Sequence, residues 1–405
     1  MNLDRPAPTS KVSPSRVLSL AEIYGPDHGM APLACEGMRR WLPEDPPRIE
    51  GMTGGQVTIL GPMGLLCNRG CVSPTFVALV EDAGLSIAAD IHAYRSTESY
   101  AAAIASFAER YRRVVTNFTS PPGLLPADRY WIDGALQSFL NNKANIDRLV
   151  PAGRLPERSI VDTADLANTL RTMGGRLVAK AATDLGSGGG CDVLICSDED
   201  GYREAEAMFG DEPRVVVERF IDMTRSFNLN FAVFSDGRIS FLGAAEQICE
   251  PDGTYAGNWI DRDLPPPDDA VALGTEIAKA AAARGFYGIC GFDIAVLPDG
   301  RCLAFDLNFR ANGCTTQIML EPVLQRRHPH RASRLWFTRF DGSLDDAARV
   351  VRDEFAAGWL IPVAGFDPRL AGLGAGPSRL QFLVLGDDRE TVTARRAALL
   401  QRGLA

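Results

Sequence analysis

Residues 291–310, Gly-Phe-Asp-Ile-Ala-Val-Leu-Pro-Asp-Gly-Arg-Cys-Leu-Ala-Phe-Asp-Leu-Asn-Phe-Arg, restrict the fold more than any other stretch. Two β-rich runs flank Asp299-Gly300, a strong short-range hairpin signal. A turn symmetric about that dipeptide sets Asp293 opposite Asp306. Side chains alternate along a strand, so Asn308 and Arg310 share the face of Asp306. Two carboxylates directly opposite each other repel. Something positive between them removes the conflict. Two carboxylates and an amide oxygen are hard ligands suited to Mg²⁺, so Asp293, Asp306 and Asn308 are the expected metal set. The other reading is an exposed acidic hairpin whose repulsion water softens. A three-residue bulged turn would undo the register on which the pairing rests.

A chain of 405 residues is too long for one ordinary core, and two or three domains are expected. A net charge of -9 argues against general binding to nucleic acid or to anionic membranes. It slightly favours a neutral or cationic substrate. No apolar run approaches the length of a membrane-spanning helix. Residues 1–16 are polar and lack the apolar core of a signal peptide, so they read as a flexible extension of a cytoplasmic protein. The nine cysteines are scattered and form no C-x-x-C pair, which suits reduced thiols better than disulfides or a zinc site. His328 and His330 flank a proline in an Arg-rich patch and are expected to face solvent.

Hydrophobic patterning predicts a strand at 57–60, a helix at 74–83 with Ser73 as its cap, a strand at 86–91, a helix at 97–113 and a strand at 114–118. That alternation implies a small Rossmann-like parallel sheet. A helix is expected over 131–149, and strands over 176–180 and 192–196. The loop between those strands, Ala181-Ala-Thr-Asp-Leu-Gly-Ser-Gly-Gly-Gly190, lacks the Gly-Lys-Ser/Thr of a Walker A loop. It is either a flap that offers backbone N–H groups to polyphosphate or a flexible tip. Lys180 at its base needs an anionic partner or water. An apolar strand over 214–221 breaks at Glu218. Further on come a hairpin (227–235 and 238–245), helices at 269–284 and 315–324, and a region from 326 whose texture changes. That region carries a helix at 344–357, strands at 359–363 and 380–385, and a last helix at 389–401.

Lys143, Lys180 with the glycine-rich loop, Glu218-Arg-Phe-Ile221, Asp293 and Asp306-Leu-Asn-Phe-Arg310 occur in that order and at suitable spacing. Together they resemble the ATP-grasp superfamily, whose acidic-x-Asn-x-Arg signature the last element matches. Leu140-Asn-Asn-Lys143, the stretches 216–221, 288–293 and 306–313, and Gly358-Trp-Leu-Ile-Pro-Val-Ala-Gly-Phe-Asp367 look more specifically like the pheganomycin-type peptide ligases. The resemblance implies an α/β (α+β) chain. Residues 1–50 are then an extension and connector, 51–125 a Rossmann-like pre-ATP-grasp domain, and 126–325 an ATP-grasp region with a glycine-rich β-hairpin flap. Residues 326–405 are left as a C-terminal subdomain serving as lid, dimer contact or substrate surface.

The resemblance also implies roles. Lys143 and Lys180 would contact ATP phosphates, Lys180 also lying near the adenine. Glu218, Phe220 and Ile221 would form the adenine hinge, and Gly186, Ser187, Gly188, Gly189 and Gly190 would close over the β- and γ-phosphates. Asp293, Asp306 and Asn308 would hold Mg²⁺. Arg310, with Lys180, would stabilise charge on the transferring phosphoryl group. Asn228, with Arg225 and Ser226, would reach ribose or phosphate, where the pattern departs from the commoner acidic one. Residues 246–259 would serve the acyl or amine pocket. A general base is not identified; an acidic residue of 246–252 or water are the options.

The implied activity is an ADP-forming ligase that converts a carboxylate to an acyl phosphate and joins it to the amine of an amino acid or peptide, in specialised (antibiotic-type) peptide biosynthesis. Such chemistry needs positioning and charge neutralisation rather than a covalent nucleophile. A small-molecule kinase and a nucleotide-binding regulatory protein are the alternatives. No nucleic-acid or membrane partner is expected, and a homodimer is the assembly suggested.

Overall fold

In the computed structural model, four short parallel strands form the N-terminal sheet: β1 (His28–Ala31), β2 (Gly64–Asn68), β3 (Ile91–Tyr94) and β4 (Arg113–Thr116), in the order β3-β2-β1-β4. The structure describes residues 18–33, 36–88, 90–250, 254–374 and 376–405. The extension expected at 1–16, together with Cys35, lies outside them. The parallel sheet is as expected, but its inner strand β1 falls within the stretch read as extension and connector. Four residues that include a histidine and a glycine carry no strand pattern. Gly29 is there for space, since a Cβ on it would lie 2.5 Å from the Phe107 ring.

The strand expected at 57–60 is a turn. Its apolar residues Val57 and Leu60 are buried, and its carbonyls accept from the helix start above it: Leu20 N–H to Ile59 O at 2.9 Å and Ala21 N–H to Leu60 O at 3.1 Å. Short apolar runs report burial, not backbone conformation. The helix at Pro74–Asp82 is capped as expected, with Phe76 N–H donating to Ser73 Oγ at 3.2 Å.

A second, antiparallel sheet comprises β5 (Arg158–Asp162), β6 (Leu177–Ala181), β7 (Val193–Cys196) and β8 (Arg214–Arg219), in the order β5-β8-β6-β7. Alternation splits its residues. Leu177, Ala179, Val215 and Val217 pack with Leu166, Leu170, Tyr202 and Phe209 of the covering helices. Lys180 and Glu218 therefore point to the other face.

The third sheet has eight strands: β9 (Arg225–Val233), β10 (Ile239–Cys249), β11 (Tyr255–Asp261), β12 (Gly288–Val296), β13 (Cys302–Asn308), β14 (Ala332–Phe340), β15 (Leu360–Phe366) and β16 (Ser378–Gly386). Their order is β13-β12-β9-β10-β11-β14-β16-β15. Residues beyond 326 are thus no separate subdomain. They carry the sheet onward through β11–β14 pairing, Asn258 opposite Leu335. His330 is buried, 5% exposed, with Nε2 3.2 Å from Glu321 Oε2, contrary to the solvent-facing expectation.

The β12–β13 turn is the three-residue kind. Leu297 N–H donates to Arg301 O at 2.9 Å, and Gly300 adopts φ 83°. Near this turn Ile294 faces Ala304, a register that would place Asp293 against Phe305. A β-bulge restores the pairing: Phe305 is the extra residue, and Asp293 faces Asp306.

Candidate active site

A cavity of about 950 Å³ opens between the three sheets. Lys143, Lys180, Ser187, Gly188, Gly189, Gly190, Glu218, Phe220, Ile221, Asn228, Asp293, Asp306, Asn308 and Arg310 all line it. Each reaches it for a local reason. The helix expected over 131–149 stops at Asn141, and Asn142 is extended (φ −79°, ψ 120°). Its side chain caps the 3₁₀ turn Lys143–Arg148 through Ala144 N–H at 3.0 Å, and that break turns Lys143 inward. On the second sheet, Lys180 Nζ lies 2.5 Å from Glu218 Oε2. It also donates to the carbonyl of Phe305 at 2.7 Å, the bulged residue of β13.

Asp293, Asp306 and Asn308 stand together. Lys143 Nζ donates to Asp306 Oδ1 at 2.6 Å and lies 3.4 Å from Asp192 Oδ2. Arg310 donates through Nη1 to Asn308 Oδ1, and through Nη2 to Ser187 O at 2.8 Å. Burial, then the charge of Asp306, pushes the Asp293 carboxyl up to about 7. Burial acts on Asp306 in the same direction, but Lys143, Lys180 and Arg310 outweigh it and hold Asp306 below the usual carboxylate range. Burial lowers Arg310 against the pull of Asp306, Asp192 and Asp293. Burial also opposes the charge on Lys143, yet Asp192 and Asp306 raise it overall.

Some expected residues stand elsewhere. Gly186 is outside the cavity wall, its N–H donated to Met38 O at 2.9 Å, and the Gly188 N–H goes to Trp41 O at 3.1 Å. The loop that joins β6 to β7 is thus tied to the N-terminal segment, and Gly189 and Gly190, at φ 70° and 84°, line the cavity. Asn228 lines the cavity, and its side chain is engaged by protein groups. It donates to Asp293 Oδ1, while its own Oδ1 accepts from Asn230 at 2.6 Å and Asn312 at 3.0 Å. The Phe220 N–H is held by Arg176 O at 3.1 Å, and the Arg176 guanidinium lies 3.6 Å over the Phe220 ring. Glu246, an option for the base, is bound by Arg225 at 3.0 Å and Arg389 at 2.6 Å.

Other lining residues carried no recognisable signal in the sequence: Arg48, Asn117 and Phe118 from the N-terminal domain, and Phe337, Arg379 and Gln381 from β14 and β16. Asp192 was legible only as the first residue of the strand expected over 192–196. It is 3% exposed, and its Oδ2 has no hydrogen-bond partner among the described residues. Glu218 Oε1 is likewise buried without one.

Buried lysines and an arginine aimed at paired carboxylates, beside a glycine-rich loop and a half-committed glutamate, define an ATP-dependent ligase of the ATP-grasp class. Two family models match, described as the ATP-grasp domain of L-aspartate–L-methionine ligase over residues 156–308 and the N-terminal domain of the same ligase over residues 19–138. The chain belongs to the ATP-grasp carboxylate–amine ligases, which join a carboxylate to an amine in a peptide-type bond.

Solved structures agree on the fold. The chain is similar to N5-carboxyaminoimidazole synthase from Aspergillus clavatus in complex with ADP and 5-aminoimidazole ribonucleotide: TM-score 0.56, 14% identity, covering 92% of this chain and 97% of that one. It is also similar to biotin carboxylase from Campylobacter jejuni in a β-γ-ATP complex: TM-score 0.54, 15% identity, covering 84% and 91%. N5-carboxyaminoimidazole synthetase from Staphylococcus aureus complexed with ADP gives TM-score 0.54 and 11% identity, covering 77% and 86%.

The residues present fit ATP and Mg²⁺. Among the described residues no group of three or more His, Cys, Asp or Glu forms a metal cluster. Two carboxylates and an amide suit Mg²⁺, which keeps water and substrate phosphate among its ligands. Glu218 Oε1, buried without a hydrogen bond among the described residues and 3.6 Å from Arg158 Nε, suits an N–H or O–H donor. Among the described residues no helix is long and apolar enough to cross a membrane.

Proposed function

We propose that this ligase joins L-aspartate, as the acyl donor, to the amine of L-methionine, releasing ADP and phosphate. The observation that carries this reading is the match of two models of one ligase to residues 19–138 and 156–308 of a chain whose Asp293, Asp306, Asn308 and Arg310 line one cavity. A carboxylate does not condense with an amine at neutral pH, because oxide is a poor leaving group. A carboxylate oxygen of aspartate takes the γ-phosphoryl group, and ADP leaves. The methionine amine then attacks the acyl carbon, phosphate departs with the C–O electron pair, and the amine gives up its proton.

In this reading, Glu218, Phe220 and Ile221 hold the adenine end, and Lys180 and Lys143 meet the phosphates. Ser187, Gly188, Gly189 and Gly190 cover the β- and γ-phosphates, and Asp293, Asp306 and Asn308 hold Mg²⁺. The metal when bound neutralises charge on the phosphates. Arg310, held between Asn308 and Ser187, faces charge on the transferring phosphoryl group and on the tetrahedral intermediate. Lys143 and Arg310 rest on the oxygens of Asp306 and Asn308, and are displaced toward phosphate as the site fills. Asp192 stays behind as the fixed partner of Lys143.

The test is ADP release with Mg·ATP, aspartate and hydroxylamine, which traps an acyl phosphate as a hydroxamate, followed by replacement of hydroxylamine with methionine. Aspartyl hydroxamate and then a dipeptide are expected. AMP and pyrophosphate, or ADP with no hydroxamate, would rule the mechanism out. Asp306→Ala and Lys180→Ala should each cost at least about a hundredfold in kcat. Arg238→Ala, at an exposed ion pair with Asp236, should leave turnover within about twofold.

A further inference from the structure

Beyond Arg310 the cavity runs away from Lys180, between the N-terminal turn that carries Arg48 and the strands β14–β16. Its wall there includes Met52, Phe118, Phe337 and Val363, with Asn117 and Gln381 beside them. Two guanidinium groups enter this end. Nη2 of Arg48 lies 3.1 Å from the place a Cβ on Gly189 would take, and Nη2 of Arg310 lies 3.9 Å from the equivalent place on Gly188. Arg48 therefore stands beside Arg310, against adjoining residues of the same loop.

Arg379 comes from the opposite side. It faces Arg339 across β14, two residues from the Phe337–Gln381 pair, and so shares the face of Phe337. Arg334, on the other face of β14 and over Trp259, also reaches the cavity wall. Asp45 ties Arg379 to the backbone of the turn that carries Arg48. It forms an ion pair with Arg379 and accepts the backbone N–H of Arg48 at 3.4 Å. That carboxylate is the ion-pair partner of Arg379 alone and leaves the Arg48 guanidinium unmatched. Among the described residues, no carboxylate lies within ion-pair distance of the Arg48 guanidinium, and Arg379 Nε is buried without a partner. Uncompensated charge in a half-buried space is costly unless an anion arrives. An amino acid with a free carboxylate and an apolar side chain matches both halves of that wall, and paired arginines suit the planar carboxylate.

We propose that Arg48 and Arg379 clamp the carboxylate of the amine substrate, with Met52, Phe118, Phe337 and Val363 receiving its side chain. This rests on the ligase reading above, and it makes the N-terminal domain a selector of the acceptor. The anchored acceptor has its amine directed back toward Arg310 and the acyl group.

The test compares L-methionine with L-methioninamide, which lacks the carboxylate, as acceptors for wild type, Arg48→Gln, Arg48→Lys and Arg379→Lys. Losing a charged hydrogen bond should raise KM for methionine by about tenfold or more in Arg48→Gln. KM for methioninamide should move by less than about threefold, because no charged contact is lost. Arg48→Lys should recover part of the loss, and Arg379→Lys should repeat the discrimination if Arg48→Gln fails to fold. Equal shifts for acid and amide would overturn the clamp. A shift confined to ATP would make Arg48 a phosphate contact instead, and one confined to aspartate would make the bound carboxylate the donor's. If wild type forms no aspartyl hydroxamate, the aspartate–methionine reading itself falls. If it does and the variants fail to discriminate, only the clamp falls.

Discussion

Asp293 and Asp306 face each other across a bulged ladder and ionise unequally, because Lys143 sits on one of them. With its pKa raised to about 7, Asp293 holds a proton in the folded chain that it loses near 4 when unfolded. The folded state then binds more protons between those values, so stability falls as pH rises through that window and stays low above it. Asp293→Asn removes the buried charge. It should raise the melting temperature of the nucleotide-free protein at pH 8 by about 3 °C or more, with the gain shrinking toward pH 5, while turnover is lost. A calorimetric scan of both proteins at the two pH values checks this. An equal difference at both would mean that Asp293 is not the titrating group. The facing of this pair was legible in the residue order, but through two departures that cancel. The turn is one residue longer than a symmetric Asp-Gly turn, and the bulge at Phe305 takes that residue back. Nothing in Ala304-Phe305-Asp306 marks a bulge, which is fixed by Lys180 binding the Phe305 carbonyl from another sheet.

At the level of elements, the elements that aim the site are short and their ends carry the information. Lys143 points inward because Asn142 ends one helix and caps the next turn, and Asn142 is itself held by donating to Asp184 Oδ1 at 2.8 Å. Asn142→Ala removes both contacts and lets the helix continue past its stop. The expected cost is about 1 kcal/mol of stability, and a rise of several-fold in the Kd for ATP by titration calorimetry. Asn142→Ser keeps an acceptor for Ala144 N–H without setting a carboxylate against Asp184, and should preserve stability better. Such ends are hard to read. The helix expected over 131–149 breaks where the local cap on Ala144 N–H and the distant contact with Asp184 both take the Asn142 side chain, and the second is not readable from local pattern. The strand at 57–60 failed for the opposite reason, since the buried Val57, Ile59 and Leu60 satisfy a strand pattern while the carbonyls of Ile59 and Leu60 serve a helix start. Lys180, Glu218 and the loop between β6 and β7 were readable because polar residues interrupt otherwise apolar strands. Arg48 and Arg379 sit among ordinary surface arginines in the sequence and acquire meaning only where two domains meet.

For the whole molecule, the cavity depends on chain ends that lie far apart. A single core contains Leu20 and Leu60 from the N-terminal domain, Phe231 and Phe292 from the central strands, and Trp336, Phe382 and Leu404 from the C-terminal ones. Strand order departs from chain order, with β11 next to β14, and local patterning does not report such long-range pairing, so 326–405 read as a separate piece. A chain stopped before β14 would leave β11 as an edge with unpaired N–H and C=O groups, and would strip the helix Pro74–Asp82 of its partners in β15 and the helix Leu344–Ala356. Residues 1–328 should therefore collect in the insoluble fraction or melt without a cooperative transition, even though every residue expected to bind ATP and Mg²⁺ is retained. Circular dichroism melting and gel filtration of that fragment beside the full chain decide it. A monodisperse fragment with a cooperative transition that still binds ATP would make the C-terminal strands an accessory to the acceptor site alone; its absence makes them part of the fold on which both ends of the cavity depend.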